Sequence, residues 1–295
     1  MKDFQYLAPR KLDEAAALMD AHGGSAQLLA GGTDLLIFMR NGRKSPDVII
    51  DAKKIPELTR LQLDDEQLTI GAAVSCRTVW EHPEISERFP ALTDAATLIG
   101  GIQIQGRATF GGNLCNAAPS ADTVPPVIVY GATAHIVSSR GERQAPVEEI
   151  CTGPGSTSLA ADEILVSLTV PRPRANSGAA FLRFIPRNEM DIAVANAAAR
   201  VDLDEAGETF ESARIAIGAV APVPLFVEAA GAALSGKPVN DESIAEAARI
   251  ARDAATPIND MRGTIEHRKQ LVEVLTARAL RRAIARAGGG TRGQT

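Results

Sequence analysis

The apolar positions of the chain change their period as the sequence advances. Between Lys11 and Gly24, residues Leu12, Ala15, Ala16 and Met19 recur at helical spacing, and Gly23-Gly24 supplies a stop. "AQLLA" is then a short apolar run that predicts a strand. "GGTDLLIFMRNG" follows, and it predicts a helix over Leu35–Arg40, with Thr33 or Asp34 available as its cap and Gly42 at its end. "DVIIDA" predicts the next strand. Strand, glycine turn, helix, strand is a βαβ pattern, so the two strands are expected to be parallel.

From Glu57 the pattern shortens. "LTRLQLDDEQLTIGAAV" predicts a hairpin around the polar turn Asp64-Asp65-Glu66. "RTVWEHPEISERFPALTDAATLIG" predicts helix in two pieces, broken before Pro90. "TFGGNLCNAAPSAD" carries two adjacent glycines, two asparagines and a proline, and is expected to be a loop. "VPPVIVYGATAHIVSSRGERQAPV" resumes as helix and strands, and "EILVSLTVP" is a strand closed by the turn-rich "PRPRANSG". In the last third, "AAFLRFIPR", "IAVANAAARVDL" and "SARIAIGAVAP" predict an antiparallel sheet. "DESIAEAARIARDA" and "TIEHRKQLVEVLTARALRRAIARA" predict amphipathic helices. The expected units are 1–55, 56–175 and 178–287, with a disordered tail over 288–295.

Composition narrows the classes. A chain of 295 residues with 45% hydrophobic residues suits two or three globular domains. No apolar run approaches the roughly 20 residues that span a bilayer. The net charge of −5 lacks the basic footprint of a nucleic-acid binder. "MKDFQYLAPR" has no apolar signal core, so the expected location is the cytoplasm. Cys76, Cys115 and Cys151 stand far apart. They form neither a disulfide framework nor a metal-ligand cluster, and read as reduced, mostly buried thiols. His22, His82, His135 and His267 fit no triad or metal pattern and read as surface or loop residues.

Two segments share one chemical character: "LLAGGTDLL" from Leu28 to Leu36, and "TFGGNLCNAAPSAD" from Thr109 to Asp122. Glycine lets successive N–H groups turn toward one point, forming an anion nest. The first loop also opens a helix, whose N-terminus favours a phosphate. Two such nests on two subdomains suit a diphosphate lying between them. Neither loop is a G-x-G-x-x-G or G-x-x-x-x-G-K-[ST] fingerprint, so a standard Rossmann or P-loop site is not expected. The alternative is a pair of tight turns with no ligand. Asp122 accepts hydrogen bonds when ionised, which suits a polyol or ribityl hydroxyl. It equally suits the N-cap of a helix with Pro125 near its start, and the two roles are compatible.

At these residues the chain resembles the FAD-binding (medium) subunits of the molybdenum hydroxylases, of the xanthine dehydrogenase and aerobic carbon monoxide dehydrogenase type. The resemblance runs through "FQYLAPRKLDEAAALM", "LLAGGTDLL", "IGAAVSCRTV", "LIGGIQIQGRATFGGNLCNAAPSAD", "EILVSLTVP" and "ATPINDMRGTIEHRKQLVEVLTARAL". It implies an α+β fold: two FAD-binding subdomains of the vanillyl-alcohol oxidase type, then a C-terminal domain with an antiparallel sheet and helices. It implies non-covalent FAD, with Leu28, Leu29, Ala30, Gly31, Gly32, Thr33, Asp34 and Leu35 around the pyrophosphate. Thr109, Gly111, Gly112 and Asn113 match the second phosphate loop, and Asp122 matches an aspartate near the ribityl chain. Ile99, Leu165 and Arg183 match positions near the flavin.

The resemblance further implies an electron relay. A large partner would hold the molybdenum cofactor and a small partner two [2Fe-2S] clusters, with electrons leaving FAD for an external acceptor. The Gly-Gly-Thr-Asp of the first loop departs from the Gly-Gly-His-Ser of carbon monoxide dehydrogenase-like members and leans toward the xanthine dehydrogenase and heterocycle branch. No catalytic side chain and no metal site are expected in this chain. Two other readings stay open: a self-sufficient FAD-dependent oxidoreductase acting on a small molecule, and a nucleotide-binding scaffold subunit without redox turnover.

Overall fold

A computed structural model of the chain describes residues 2–288. The first unit is a parallel βαβ layer. Its elements are β1 (Gln5–Leu7), α1 (Leu12–His22), β2 (Ala26–Leu29), α2 (Leu35–Arg40), β3 (Val48–Asp51) and α3 (Pro56–Thr59). The sheet order is β1-β3-β2, and β2 and β3 are parallel as their pattern predicts. Strand β1 is an addition: three residues are too short to show a period. Ala15, Ala16 and Met19 of α1 bury against Val48 and Ile50 of β3. Neither Thr33 nor Asp34 caps α2. Asp34 stands at the cap position with a helical backbone (φ −96°, ψ −45°) and no side-chain bond to it, whereas a cap needs extended geometry.

The second unit opens with β4 (Leu61–Leu63) and β5 (Gln67–Gly71), the predicted hairpin. Helix then runs in three pieces, not two: α4 (Cys76–Trp80), α5 (Pro83–Arg88) and α6 (Pro90–Ala96). Pro83 and Pro90 each start a new helix, because a proline at the first turn costs no hydrogen bond but cannot continue the one before. Next come α7 (Ile102–Gln105) and α8 (Phe110–Asn116). They are followed by α9 (Val124–Val129), β6 (Thr133–Ser138), β7 (Gly141–Pro146), β8 (Cys151–Gly153), β9 (Ser156–Thr157) and β10 (Ile164–Pro171). The five-stranded antiparallel sheet has the order β4-β5-β10-β6-β7. Its core gathers Leu68, Ile70, Phe89, Phe110, Val127 and Leu168.

The third unit is a four-stranded antiparallel sheet of β11 (Ser177–Phe184), β12 (Ala195–Leu203), β13 (Phe210–Gly218) and β14 (Leu225–Phe226). It is backed by α10 (Glu228–Ala232), α11 (Asp241–Ala254) and α12 (Ile265–Arg286). Alternate residues of these strands enter different cores. Ala179, Phe181, Ala198 and Ala216 face the second unit. Ala180, Ala197, Ala199, Ile215 and Ile217 face α11 and α12. The sheet is therefore covered on both sides, which explains why "IAVANAAA" reads as a continuous apolar run. The expected tail falls outside the described residues apart from Gly288.

Candidate functional site

The first glycine segment sits where a parallel sheet usually presents its ligands, at the carboxyl end of β2. Gly31 is required there by contact. A Cβ on it would lie 2.2 Å from the Arg107 carbonyl oxygen, and Arg107 Nε donates to the Gly31 carbonyl at 3.1 Å. The first glycine segment is thus pressed against Arg107 and Ala108, just before the second, across 76 residues of chain. Gly32 takes φ +77°, a left-handed backbone that glycine adopts without strain. Among the described residues, no protein acceptor takes the N–H groups of Gly32, Thr33 or Asp34. Leu28 and Ala30 pack on the first core, Leu29 lies against Gly32, and Leu35 is half-buried at the start of α2.

The second segment is not a plain loop: Phe110–Asn116 forms α8. Thr109 has an extended backbone, and its hydroxyl accepts from Gly112 N at 2.8 Å, so a good cap offsets the weak helix propensity of the two glycines. Gly111 is a second contact glycine, since its Cβ would meet Ala72 Cβ at 2.5 Å. Ala117 ends the helix in the left-handed region at φ 46°. The Asn113 carboxamide oxygen accepts from Thr123 N at 3.3 Å and Thr123 Oγ1 at 2.7 Å, which folds the end of the segment back over its start.

Asp122 is not the cap of α9. Thr123 holds that position without a side-chain bond, and the Asp122 carboxylate turns instead to the third unit. It pairs with Arg183 Nη1 and accepts from Asn196 Nδ2 at 3.2 Å. Arg183 and Asn196 face each other in the register of β11 and β12. Burial raises the Asp122 carboxyl above its ordinary value, and the Arg183 charge opposes that rise. Arg183 Nε is buried without a partner. Ile99 is half-buried on the second core, one residue before Gly100-Gly101, where Met190 lies against Gly101. Leu165 is different: its side chain is 3% exposed in the second core, on β10.

Side-chain bonds therefore join Gly31 to Arg107, Thr109 to Gly112, Asn113 to Thr123 and Asp122 to Arg183, and short stretches of chain link these pairs. Arg107 and Asn196 were not singled out from the sequence. The signal for Asn196 was a lone carboxamide inside an apolar strand. Cys76 and Cys151 are buried and Cys115 is exposed, all three free, and burial pushes the Cys76 thiol up to about 12. His135 lies on β6 beside Glu142, and His267 lies on α12 with its ring edge-on to Phe184. Among the described residues, no three His, Cys, Asp or Glu side chains gather as a metal site. Nor is any helix among them long and apolar enough to cross a membrane.

Residues 2–173 match the FAD binding domain in molybdopterin dehydrogenase, and residues 180–283 match the CO dehydrogenase flavoprotein C-terminal domain. The chain belongs to this FAD-binding subunit family. It is 36% identical over 282 residues to the putative xanthine dehydrogenase FAD-binding subunit of Escherichia coli, covering 93% of this chain and 96% of that protein. It is 32% identical over 285 residues to the carbon monoxide dehydrogenase medium chain of Hydrogenophaga pseudoflava, covering 96% and 98%. A solved carbon monoxide dehydrogenase from Hydrogenophaga pseudoflava superposes with a TM-score of 0.92 at 33% identity, over 97% of this chain and 98% of that one. The fold is thus that of a flavin-carrying subunit of a molybdenum hydroxylase-type dehydrogenase. N–H groups left without a protein acceptor beside glycine suit the diphosphate of the dinucleotide this family binds.

Proposed function

We propose that this chain holds FAD non-covalently and passes electrons from iron–sulfur clusters of a small partner subunit to an external acceptor. A large partner would hold the molybdenum cofactor. The observation that carries this reading is the contact of Gly31 with Arg107, which brings the first glycine segment to the start of the second, with unpaired N–H groups beside it. Leu28 through Leu35 would wrap the diphosphate from one side, and Thr109, Gly111, Gly112 and Asn113 from the other. Asp122 keeps free lone pairs beside its Arg183 and Asn196 bonds, so it can still accept from a ribityl hydroxyl. Ile99 and Leu165 would border the flavin, Leu165 through its backbone, with Arg183 near the ring. The units 1–55, 56–175 and 178–287 then act as two clamp halves and a cover, in a cytoplasmic complex.

Bound FAD would supply the exchange between one-electron and two-electron carriers. The protein supplies position, charge and exclusion of water. No side chain needs to act as acid, base or nucleophile. The named relatives act on different small molecules, which supports placing substrate choice in another subunit. The test is Gly112→Val. A Cβ there would meet only Thr109 Oγ1, at 2.8 Å, so the side chain enters the nest at the cost of shifting the Thr109 cap and without touching the core. FAD per chain, read from the absorbance of the co-purified complex, should fall from about one to near zero in a folded variant. Full FAD content in folded Gly112→Val protein would overturn the assignment.

A further inference from the structure

We infer that Arg107, with Lys53 behind it, supplies the positive charge that receives the diphosphate of FAD at the seam between the two glycine segments. The inference rests on the FAD reading above and adds to it two residues that no glycine motif contains. Backbone N–H groups offer partial charges only, whereas a diphosphate brings full negative charge.

The topology puts both cations at one place. Strand β2 leads into Leu29–Gly32, and its neighbour β3 pairs Asp51 with Leu29 before the chain reaches Lys53. These are adjacent carboxyl ends of one parallel sheet, the edge where open α/β sheets receive ligands. Lys53 Nζ crosses from this unit to the second, donating to the Ala73 carbonyl at 2.7 Å. Arg107 crosses in the opposite direction, donating through Nε to the Gly31 carbonyl. The two cations thus cross the same seam from opposite sides.

The local charge is only partly offset, with two cations to one carboxylate. Asp51 is the carboxylate beside these cations, and its oxygens are already engaged. Tyr6 OH donates to Oδ2 at 2.6 Å, and Lys53 N donates to Oδ1 at 2.9 Å. Arg107 is exposed and forms no ion pair among the described residues, so both terminal Nη groups remain free for a ligand. Lys53 keeps further N–H donors after its bond to Ala73. Burial first, and the Arg107 charge second, hold the Lys53 amine below its ordinary value, with the Asp51 charge opposing them. A guanidinium fork matches two phosphate oxygens at once, which a lysine cannot do.

Equilibrium binding of FAD to the full chain, stripped of flavin and refilled, tests this. Charge-assisted bonds of this kind are worth about tenfold to a hundredfold in affinity. Arg107→Met should weaken FAD by that factor, while Arg107→Lys, which keeps the charge but loses the fork and the Nε bond to Gly31, should recover part of it. Added salt should weaken the parent more steeply than Arg107→Met. ADP, which carries the diphosphate without the flavin, should compete with FAD on the parent and poorly on Arg107→Met. If Arg107→Met does not fold, Lys53→Met carries the same comparison with a smaller expected loss. Parent-like FAD affinity and ADP competition in a folded Arg107→Met would overturn the inference and leave the FAD reading intact. Equal damage from Arg107→Lys and Arg107→Met would overturn it too, showing a strut to Gly31 rather than a phosphate receiver. A parent chain that takes up no FAD, alone or with its partner subunits, would sink both.

Discussion

At the scale of single residues, the titrating groups of this chain divide by what surrounds them. Asp122 is buried and its carboxyl is raised, so its ionised form is held at a cost that Arg183 only partly offsets. Glu163 is the opposite case. Arg143 grips it with two bonds, Nε to Oε1 at 2.7 Å and Nη2 to Oε2 at 2.8 Å, and Ala160 N adds a third at 2.9 Å. The Arg143 bonds, chiefly, hold Glu163 below its ordinary value of 4.5. A depressed acid binds fewer protons folded than unfolded. Its contribution to stability is therefore present above about pH 4.5 and is lost as the pH falls through the lower native value. Glu163→Gln should lower the melting temperature near neutrality, and the gap to the parent should narrow as the pH drops below 4.5. A gap that is constant across that range would mean the grip is not electrostatic.

At the scale of elements, α8 shows how local rules can be overridden. Seven residues with two glycines make a poor helix on propensity alone, and the sequence reads as a loop. The Thr109 cap and the fit of Gly111 on Ala72 reverse the balance. Thr109→Ala should cost about 1 kcal/mol in denaturant unfolding, the usual worth of a cap. It should lose less FAD than Gly112→Val, because it removes one hydroxyl and adds no bulk to the nest. That pairs it with Gly112→Val: equal FAD loss in the two variants would assign the effect to α8 stability instead of to the filled nest.

What could be read in advance follows the same logic. The βαβ unit, the β4–β5 hairpin and the third antiparallel sheet were legible because their apolar period matches their geometry. Strand β1 was not, because three residues carry no period. The break at Pro83 was missed beside the plainer one at Pro90. The glycine segments were legible as places of close backbone approach, and Asp122 as an acceptor. That Asp122 would turn to Arg183, 61 residues away, was not legible, since no local pattern encodes a contact between units.

At the scale of the whole molecule, that contact has a partner that decides how firmly the third unit covers the site. Asp94 on α6 is 11% exposed and collects four bonds from the third unit. Arg286 donates from Nη1 to Oδ2 at 2.6 Å and from Nη2 to Oδ1 at 2.9 Å, Arg282 Nη2 adds 3.1 Å, and Phe181 N adds 3.1 Å. Arg286 also reaches the Ala179 carbonyl at 2.7 Å, so one guanidinium ties α6, α12 and β11 together. Phe181 and Arg183 are two residues apart on β11 and therefore point to the same face, toward the second unit.

Asp94→Ala would leave the Phe181 N–H without its acceptor and the half-buried Arg286 guanidinium without its carboxylate, with only the Ala179 carbonyl left to it. The cost should be about 2–4 kcal/mol, with little of it from Arg282, which is largely exposed. Because β11 carries both Phe181 and Arg183, loosening it at Asp94 should also slacken the Asp122–Arg183 bond and weaken FAD. The expected result is a lower melting temperature, faster proteolytic cleavage within 172–176, and a weaker FAD dissociation constant. Saturating FAD should slow the cleavage again, since a ligand that binds only the closed form favours it by mass action. Faster cleavage with unchanged FAD affinity would show that the third unit covers the flavin site without contributing to it, and that Arg183 is a fastening of the fold alone.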